Sequence, residues 1–513
     1  MVTALKILVA AIAVLALVII AARQIFAIPP HDGRVDSKAL PPPDNSPLVR
    51  SAARQHARHA GKTGVATLGS GTDAFAARMI LADAAVSSID AQYYIWHGDL
   101  TGALLLDALR RAAERGVRVR LLLDDNGTSG LDAELAALDA HENAEVRLYN
   151  PFNLRRPKLL SYWFDFFRLN RRMHNKSFTV DGAVSILGGR NIGDEYFETG
   201  PTALYVDLDV LAVGNVVPRI AADFDRYWAA QAVHPVGPIL GPPPVGDPIG
   251  DAVARHRDTP QLAEYREGII ASDIVQALRQ ATLDLEWSDV LLVSDDPVKG
   301  QGAVPREKLL LTRLVQAVGR IETRFDGVTP YFVPGAGGVR AFAGLEEQGI
   351  DVRILTNSLE ATDVLPVHAG YAKRRRDLLR AGVEMFELQS RAAIGTPKEK
   401  IGPFGSSGAS LHAKTFAVDG KRIFIGSFNF DPRSATINTE MGLLIDSANM
   451  ADQMHDAFDR QLDGLAWQVL EQDGRLVWRD GAAGVTTDRE PGTTALKRAA
   501  LTVIGWLPLE WLL

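Results

Sequence analysis

The chain has 513 residues, 47% of them hydrophobic and 23% charged, with a net charge of −7 and no cysteine. That length predicts two to four domains with ample core. The acidic balance argues against a dedicated polyanion binder such as a nuclease, and the missing thiols exclude disulfides and cysteine catalysis while leaving the redox compartment open.

The N-terminus, MVTALKILVAAIAVLALVIIAARQ, is apolar without a break from Ile7 to Ala22. Extended back to Ala4, at ~1.5 Å per residue, it nearly spans the hydrocarbon layer of a bilayer. A cleaved signal peptide is the competing reading. Cuts after Ala22 or Ala27 would place Ile20 or Ile25 where a small residue is wanted, so an uncleaved anchor over residues 1–25 is favoured. Lys6 and Arg23 flank the run almost symmetrically and leave its orientation open. The Pro-rich polar stretch from Ile28 to Pro47 is expected to be an unpacked spacer, within a linker over residues 26–60.

The body repeats. Ile89–Asp125 reads as strand, turn, amphipathic helix, strand, and so does Val328–Ser358. Tyr93-Tyr94-Ile95 aligns with Tyr331-Phe332-Val333, and Gly116 with Gly349, each glycine closing a helix before an apolar strand. AEVRLYNPF from Ala144 matches AGVEMFEL from Ala381. The expected division is a first half over 61–235, a connection with the opening strand of the second half over 236–300, a second half over 301–470 and a tail over 471–513. The Pro- and Gly-rich run Val233–Pro248 marks the junction, and WSDVLLVSDDP after it reads as one strand. Two stretches combine basic and apolar residues in the manner of an interfacial segment: NLRRPKLLSYWFDFFRLNRR, with Arg155, Arg156, Lys158, Arg171 and Arg172, and the C-terminal TALKRAALTVIGWLPLEWLL.

Each half carries one copy of a polar motif. His174, Lys176, Asp181, Gly188-Gly189 and Asn191 in the first are matched by His412, Lys414, Asp419, Gly426-Ser427 and Asn429 in the second, with no slippage between copies. On a strand, the His and Lys of H-x-K point the same way, and the β-prone runs that follow, SFTV and TFAV, support that reading. Each copy then offers an imidazole, an ammonium and an amide to one anionic group. Two facing copies make a metal-free phosphodiester site in which one His attacks phosphorus and the other protonates the leaving oxygen. No cofactor is called for, and without cysteine or an H-x-x-x-H pair a metal site is not expected. Asp181 and Asp419 are expected to anchor structure rather than react. Glu440 lies 28 residues past His412, and Asp207 stands in the analogous place 33 past His174. A carboxylate there suits the far ring N–H of a histidine.

The paired motifs resemble the HKD signature of the phospholipase D superfamily. RLNRRMHNKSFTVDG, GGRNIGDEYF, SGASLHAKTF and IGSFNFDPRSATINTEMG resemble bacterial cardiolipin synthases, the C-type branch in particular, and the resemblance runs from about Asp73 to the C-terminus. It implies an α/β fold: two phospholipase D-like α/β/α sandwich halves related by a pseudo-twofold, with the active site at their interface, plus an N-terminal membrane helix. It implies the histidine-supporting role for Glu440 and, less directly, for Asp207, and a lean towards His174 as nucleophile that the sequence itself leaves open. Ser427, His368 and Tyr371 are candidate substrate contacts on the same ground. The implied function is a phosphatidyltransferase working through phosphohistidine at a bacterial inner membrane, on phosphatidylglycerol as acceptor. A second phosphatidylglycerol or phosphatidylethanolamine is the candidate donor. A hydrolytic phosphodiesterase and an inactive membrane scaffold are the alternatives. Nucleic acid is not expected as a partner, and the oligomeric state stays open.

Overall fold

The computed structural model describes residues 2–31, 34–199, 205–280, 282–390 and 410–513. It opens with α1 (Val2–Ile25), which buries none of its residues against the protein and is long and apolar enough to cross a membrane. The body is two mixed sheets. The first has nine strands, in the order Glu286–Ser288, Thr63–Leu68, Asp209–Gly214, Val184–Gly188, Ser177–Val180, Ser88–Ile95, Arg118–Gly127, Ala144–Tyr149 and Val233–Pro235. The second has ten: Val290–Ser294, Met441–Ile445, Arg422–Gly426, Thr415–Val418, Arg324–Val328, Asp351–Asn357, Glu384–Leu388, Ala466–Gln472, Arg475–Asp480 and Val485–Thr487. The inner strands repeat one for one, so the two halves share a topology.

Local chemistry explains the repeat. In each half three parallel strands are linked through helices, as right-handed crossovers require. The helix Leu100–Glu114 starts where the Asp99 carboxylate accepts from Gly102 N–H at 3.1 Å. It ends at Gly116, whose φ of +88° suits a residue without Cβ. Strand Ser88–Ile95 slips register between Tyr93 and Ile95, a bulge that re-aims Tyr94. Beyond the bulge lies α2 (Tyr162–Leu169), and near the C-terminus α3 (Ala495–Gly505). A single core made by both halves, including Leu187, Val210 and Ala212 from one and Ala417, Ile425 and Leu443 from the other, fuses the sheets.

Three expectations need correction. WSDVLLVSDDP is two strands: Glu286–Ser288 closes the edge of the first sheet and Val290–Ser294 opens the second. The second sheet continues past residue 470 to Thr487. The spacer also packs. Its backbone carbonyls are taken by guanidinium groups of the first sheet, Arg120 to Ser37 at 2.7 Å, Arg118 to Lys38 at 2.8 Å and Arg147 to Val35 at 3.0 Å, while Asp36 pairs with Arg147 at 2.6 Å. Pro-rich composition forbids regular structure but leaves carbonyls available to donors, and here buried arginines use them.

Asp181 and Asp419 sit just past their strands, with φ of 51° and 56°. Asp181 accepts from the N–H groups of Val86, Ser87 and Ser88 and from the Ser46 hydroxyl. Asp419 accepts from Glu322, Thr323 and Arg324. Both pin the turn after the motif strand to the start of its neighbour, turned away from the motif lysines.

Compared with a chain beginning at residue 27, one beginning at residue 46 strips partners from buried Arg120 and Arg147. Its stability should fall by about 3 kcal/mol. Equal melting temperatures for the two would contradict a packed strap.

Candidate active site

The H-x-K residues do not lie on strands. They precede Ser177–Val180 and Thr415–Val418 as extended segments whose backbone bonds cross to the other half. His174 N–H donates to the Thr439 carbonyl at 2.9 Å, and Thr439 N–H to that of Arg172 at 2.9 Å. His412 N–H donates to the Val206 carbonyl at 2.7 Å. Leu411 and Val206 pair in a short parallel ladder that joins the halves. The residue after each accepting carbonyl is an acid, Glu440 after Thr439 and Asp207 after Val206. Each acid thereby reaches the histidine of the opposite half: His174 Nδ1 lies 2.8 Å from Glu440 Oε2, and His412 Nδ1 lies 2.6 Å from Asp207 Oδ2.

The two sets differ in detail. Ser427 hydrogen-bonds Glu440 through its hydroxyl, and its carbonyl lies 3.1 Å from His174 Nδ1. A carbonyl only accepts, so Nδ1 carries the proton and the lone pair of His174 is on Nε2. At the matching position Gly189 leaves room for Asp207: a Cβ there would sit 2.1 Å from its Oδ1. Gly188 and Gly426 are constrained alike, since a Cβ would come within 2.5 Å of the carbonyls of Leu208 and Met441. Burial pushes Glu440 up to about 7 despite Lys176 and Ser427. Burial also acts on Asp207, but His412, Lys414 and Arg190 outweigh it and hold that carboxyl well below its usual range. His174 is driven well below the ordinary histidine value by burial and by Lys176, Lys414 and His412. His412 is lowered by burial and Lys414, against the pull of Asp207.

Both lysines are buried and donate back to their own histidine's carbonyl. Burial lowers Lys414 to about 8, against Asp207 and Glu440, and takes Lys176 well below its usual value, with Lys414 adding to the effect. Four nitrogen bases thus crowd together at a cost in solvation that a bound anion would offset. Asn191 is tied into the scaffold: its Oδ1 accepts from Ile95 N–H at 3.1 Å and its Nδ2 donates to the Tyr196 hydroxyl at 3.0 Å. Asn429 is buried with its Oδ1 unpartnered among the described residues.

Ser427 therefore touches Glu440 and His174 from behind, a positioning place rather than the expected substrate contact. His368 and Tyr371 fall in a buried cluster of the second half: Arg375 lies 3.1 Å from His368 Nε2, and the Tyr371 hydroxyl donates to Glu387 at 3.0 Å. Their partners are structural acids and arginines, not the motif residues. Of the basic residues before the first motif, Arg155 and Lys158 are bound to Asp125, Arg172 to Asp124, and Arg171 donates to the Lys299 carbonyl at 3.0 Å, leaving Arg156 exposed.

Several neighbours escaped the sequence reading. Tyr94 stands edge-on to His174 with centroids 5.0 Å apart, and Tyr196 and Tyr205 pack on His412 at 5.1 and 5.0 Å. Asp295 accepts from Glu440 N–H at 2.9 Å and binds Lys299. Tyr196 and Tyr205 follow the first motif closely, whereas Tyr94 and Asp295 lie far from either motif along the chain and carry no sequence signal of the site. His97, Asp99 and Glu195 bring three potential metal ligands within 4.8 Å of one another, and Asp99 there caps a helix.

Residues 79–228 and 314–462 both match the family model described as cardiolipin synthase, PLD-like domain. Over 461 residues the chain is 47% identical to cardiolipin synthase C of Escherichia coli (strain K12), covering 89% of this chain and 97% of that one. It is 28% identical over 408 residues to cardiolipin synthase A of Pseudomonas entomophila (strain L48), covering 79% and 69%. In fold it is similar to a phosphatidylserine synthase of Haemophilus influenzae Rd KW20, with a TM-score of 0.56 at 14% identity over 90% of this chain and 100% of that chain. The duplicated sheets, the reciprocal acid–histidine pairs and these matches agree: the chain belongs to the cardiolipin synthase family of the phospholipase D superfamily.

Proposed function

We propose that His174 is the nucleophile and His412 the acid–base partner of a phosphatidyl transfer that forms cardiolipin. The chain is a cardiolipin synthase C-like phosphatidyltransferase, and its substrates are phospholipids. The observation that carries the assignment is the Ser427 carbonyl and Glu440 at His174 Nδ1, which leave neutral Nε2 to attack phosphorus. His412, paired with an ionised Asp207, gives its proton to the departing headgroup oxygen as the P–O bond breaks. Its freed base then takes the proton of the acceptor hydroxyl, which attacks the phosphohistidine and releases His174. Lys176, Lys414 and Asn429 hold the non-bridging oxygens, with Asn191 supporting through its remaining N–H.

Water competes for the same intermediate. Effective molarities of ~10⁵–10⁸ M let an oriented alcohol win, and the glycerol hydroxyl of phosphatidylglycerol is the acceptor we assign. The donor is a second phosphatidylglycerol or phosphatidylethanolamine. We place the enzyme at a bacterial inner membrane, held by an uncleaved α1. In support, Arg23 at the end of that helix donates to the Phe164 carbonyl at 2.6 Å and pairs with Asp165 at 3.3 Å, docking the helix on the body.

Mass spectrometry of products from isotopically distinct donor and acceptor lipids should show cardiolipin carrying both labels. Phosphatidic acid as sole product across all lipids would contradict transfer. Acid-labile, base-stable label should map to His174, and label on His412 instead would reverse the roles. Glu440→Gln should slow transfer by at least ~10²-fold. Because the folded-state value of Glu440 is raised, the stability it contributes is complete below about pH 4.5 and is lost as pH rises through about 7. Glu440→Gln should remove that loss, so between about pH 4.5 and 8.5 the stability of the variant relative to wild type should rise by about 3 kcal/mol. Parallel pH–stability curves would contradict the buried, raised carboxyl.

A further inference from the structure

Large apolar side chains are exposed in three places that the chain brings together. α1 ends with Ile25 and Phe26 uncovered, α2 exposes Trp163 (66%) and Phe167 (74%), and α3 with the residues after it exposes Val503, Trp506 (79%) and Trp511. Besides the Arg23 contacts, the Phe26 ring lies 6.0 Å from that of Phe164, and the Phe26 carbonyl accepts from the Asn153 amide at 3.0 Å. The far end of α2 meets the chain terminus on one guanidinium. Arg433 donates to the Asn170 carbonyl at 2.7 Å and the Leu512 carbonyl at 3.1 Å, while its own N–H donates to the Leu513 carbonyl at 2.8 Å. Arg23 and Arg433 therefore link the three apolar elements in series.

They are also close to the chemistry. Leu169 is five residues before His174 and Arg433 four after Asn429, so neither can stand more than ~18 Å along the chain from its motif residue. Soluble proteins rarely leave contiguous aromatic surface uncovered without a partner for it, and tryptophan favours the bilayer interface. Arg155 and Lys158 are neutralised by Asp125 and Asp132, while Arg156 stays exposed beside the apolar side chains, a mixture suited to the interface of an anionic bilayer.

We infer that α2 and the C-terminal segment Leu496–Trp511 insert side by side into the bilayer interface at which α1 emerges, seating the paired motifs against the lipid. The occupant is a lipid surface because α2 is bonded to the end of the one helix able to cross a bilayer among the described residues. The inference rests on α1 being a membrane anchor.

The chain lacks cysteine, so single-cysteine variants of the full-length protein can carry an environment-sensitive dye in nanodiscs of one part phosphatidylglycerol to three parts phosphatidylcholine. Quenching by doxyl-phosphatidylcholine is expected for Leu15→Cys, Trp163→Cys, Phe167→Cys and Trp506→Cys, but not for Val86→Cys, exposed at the opposite end of strand Ser88–Ile95. Quenching at 15 with 163 and 506 behaving like 86 overturns the inference and leaves the anchor standing. No quenching at 15 overturns both. Replacing Trp163, Phe167, Trp506 and Trp511 together by serine should cut activity on phosphatidylglycerol vesicles ~10-fold or more while changing activity on monomeric dihexanoyl phosphatidylglycerol less than ~2-fold. Equal losses on both substrates would also overturn it.

Discussion

Two backbone hydrogen bonds organise this molecule: His174 N–H to Thr439 and His412 N–H to Val206. Each takes the segment before a motif strand out of its own sheet and lays it on the other half, at the residue preceding an acid. The peptide geometry then delivers Glu440 to His174 and Asp207 to His412. Each motif histidine takes its acid from the opposite half, and the shared core between the sheets keeps the two pairs in register. A phosphodiester site built this way depends on the fusion of the halves. Separation would part each imidazole from its acid and open the buried site to water.

Within that near-symmetry, small differences separate the roles. Gly189 admits the short Asp207, which Arg190 and Lys414 help keep ionised. Ser427 in the same place holds the longer Glu440, which burial raises to about 7. An ionised acid favours a protonatable histidine, and a carboxyl near neutrality beside a carbonyl favours a neutral one. One duplicated motif thus carries two different electrostatic settings, which is the asymmetry on which the proposed division between acid and nucleophile rests.

The sheets and the paired motifs were legible because duplication makes chance spacing visible and because the β-prone runs after each H-x-K bound it. The places of Glu440 and Asp207 were legible too, but their partners were not. Counting 28 or 33 residues along one chain says nothing about a crossing made by backbone amides. The misplacement of H-x-K on strands has the same origin. Ser427 is a candidate contact through the resemblance alone, and only three dimensions show it behind Glu440. His368 and Tyr371 lie in a basic helix whose acids, Glu387 and Glu490, are distant in sequence. In the spacer, composition reports that proline prevents helix and strand, not that Arg118, Arg120 and Arg147 bind its carbonyls. Arg155 and Lys158 look available to lipid phosphates for a similar reason, since their acids Asp125 and Asp132 stand 23 to 33 residues away.

The crossing of acid and histidine between halves is tested most directly by ¹⁵N-histidine NMR across pH on Asp207→Asn and Glu440→Gln proteins. Asp207→Asn should lower the titration of His412 and move its Nδ1 resonance while leaving that of His174 nearly in place, and Glu440→Gln should do the reverse. A shift of His174 by Asp207→Asn with His412 unmoved would contradict the reciprocal pairing.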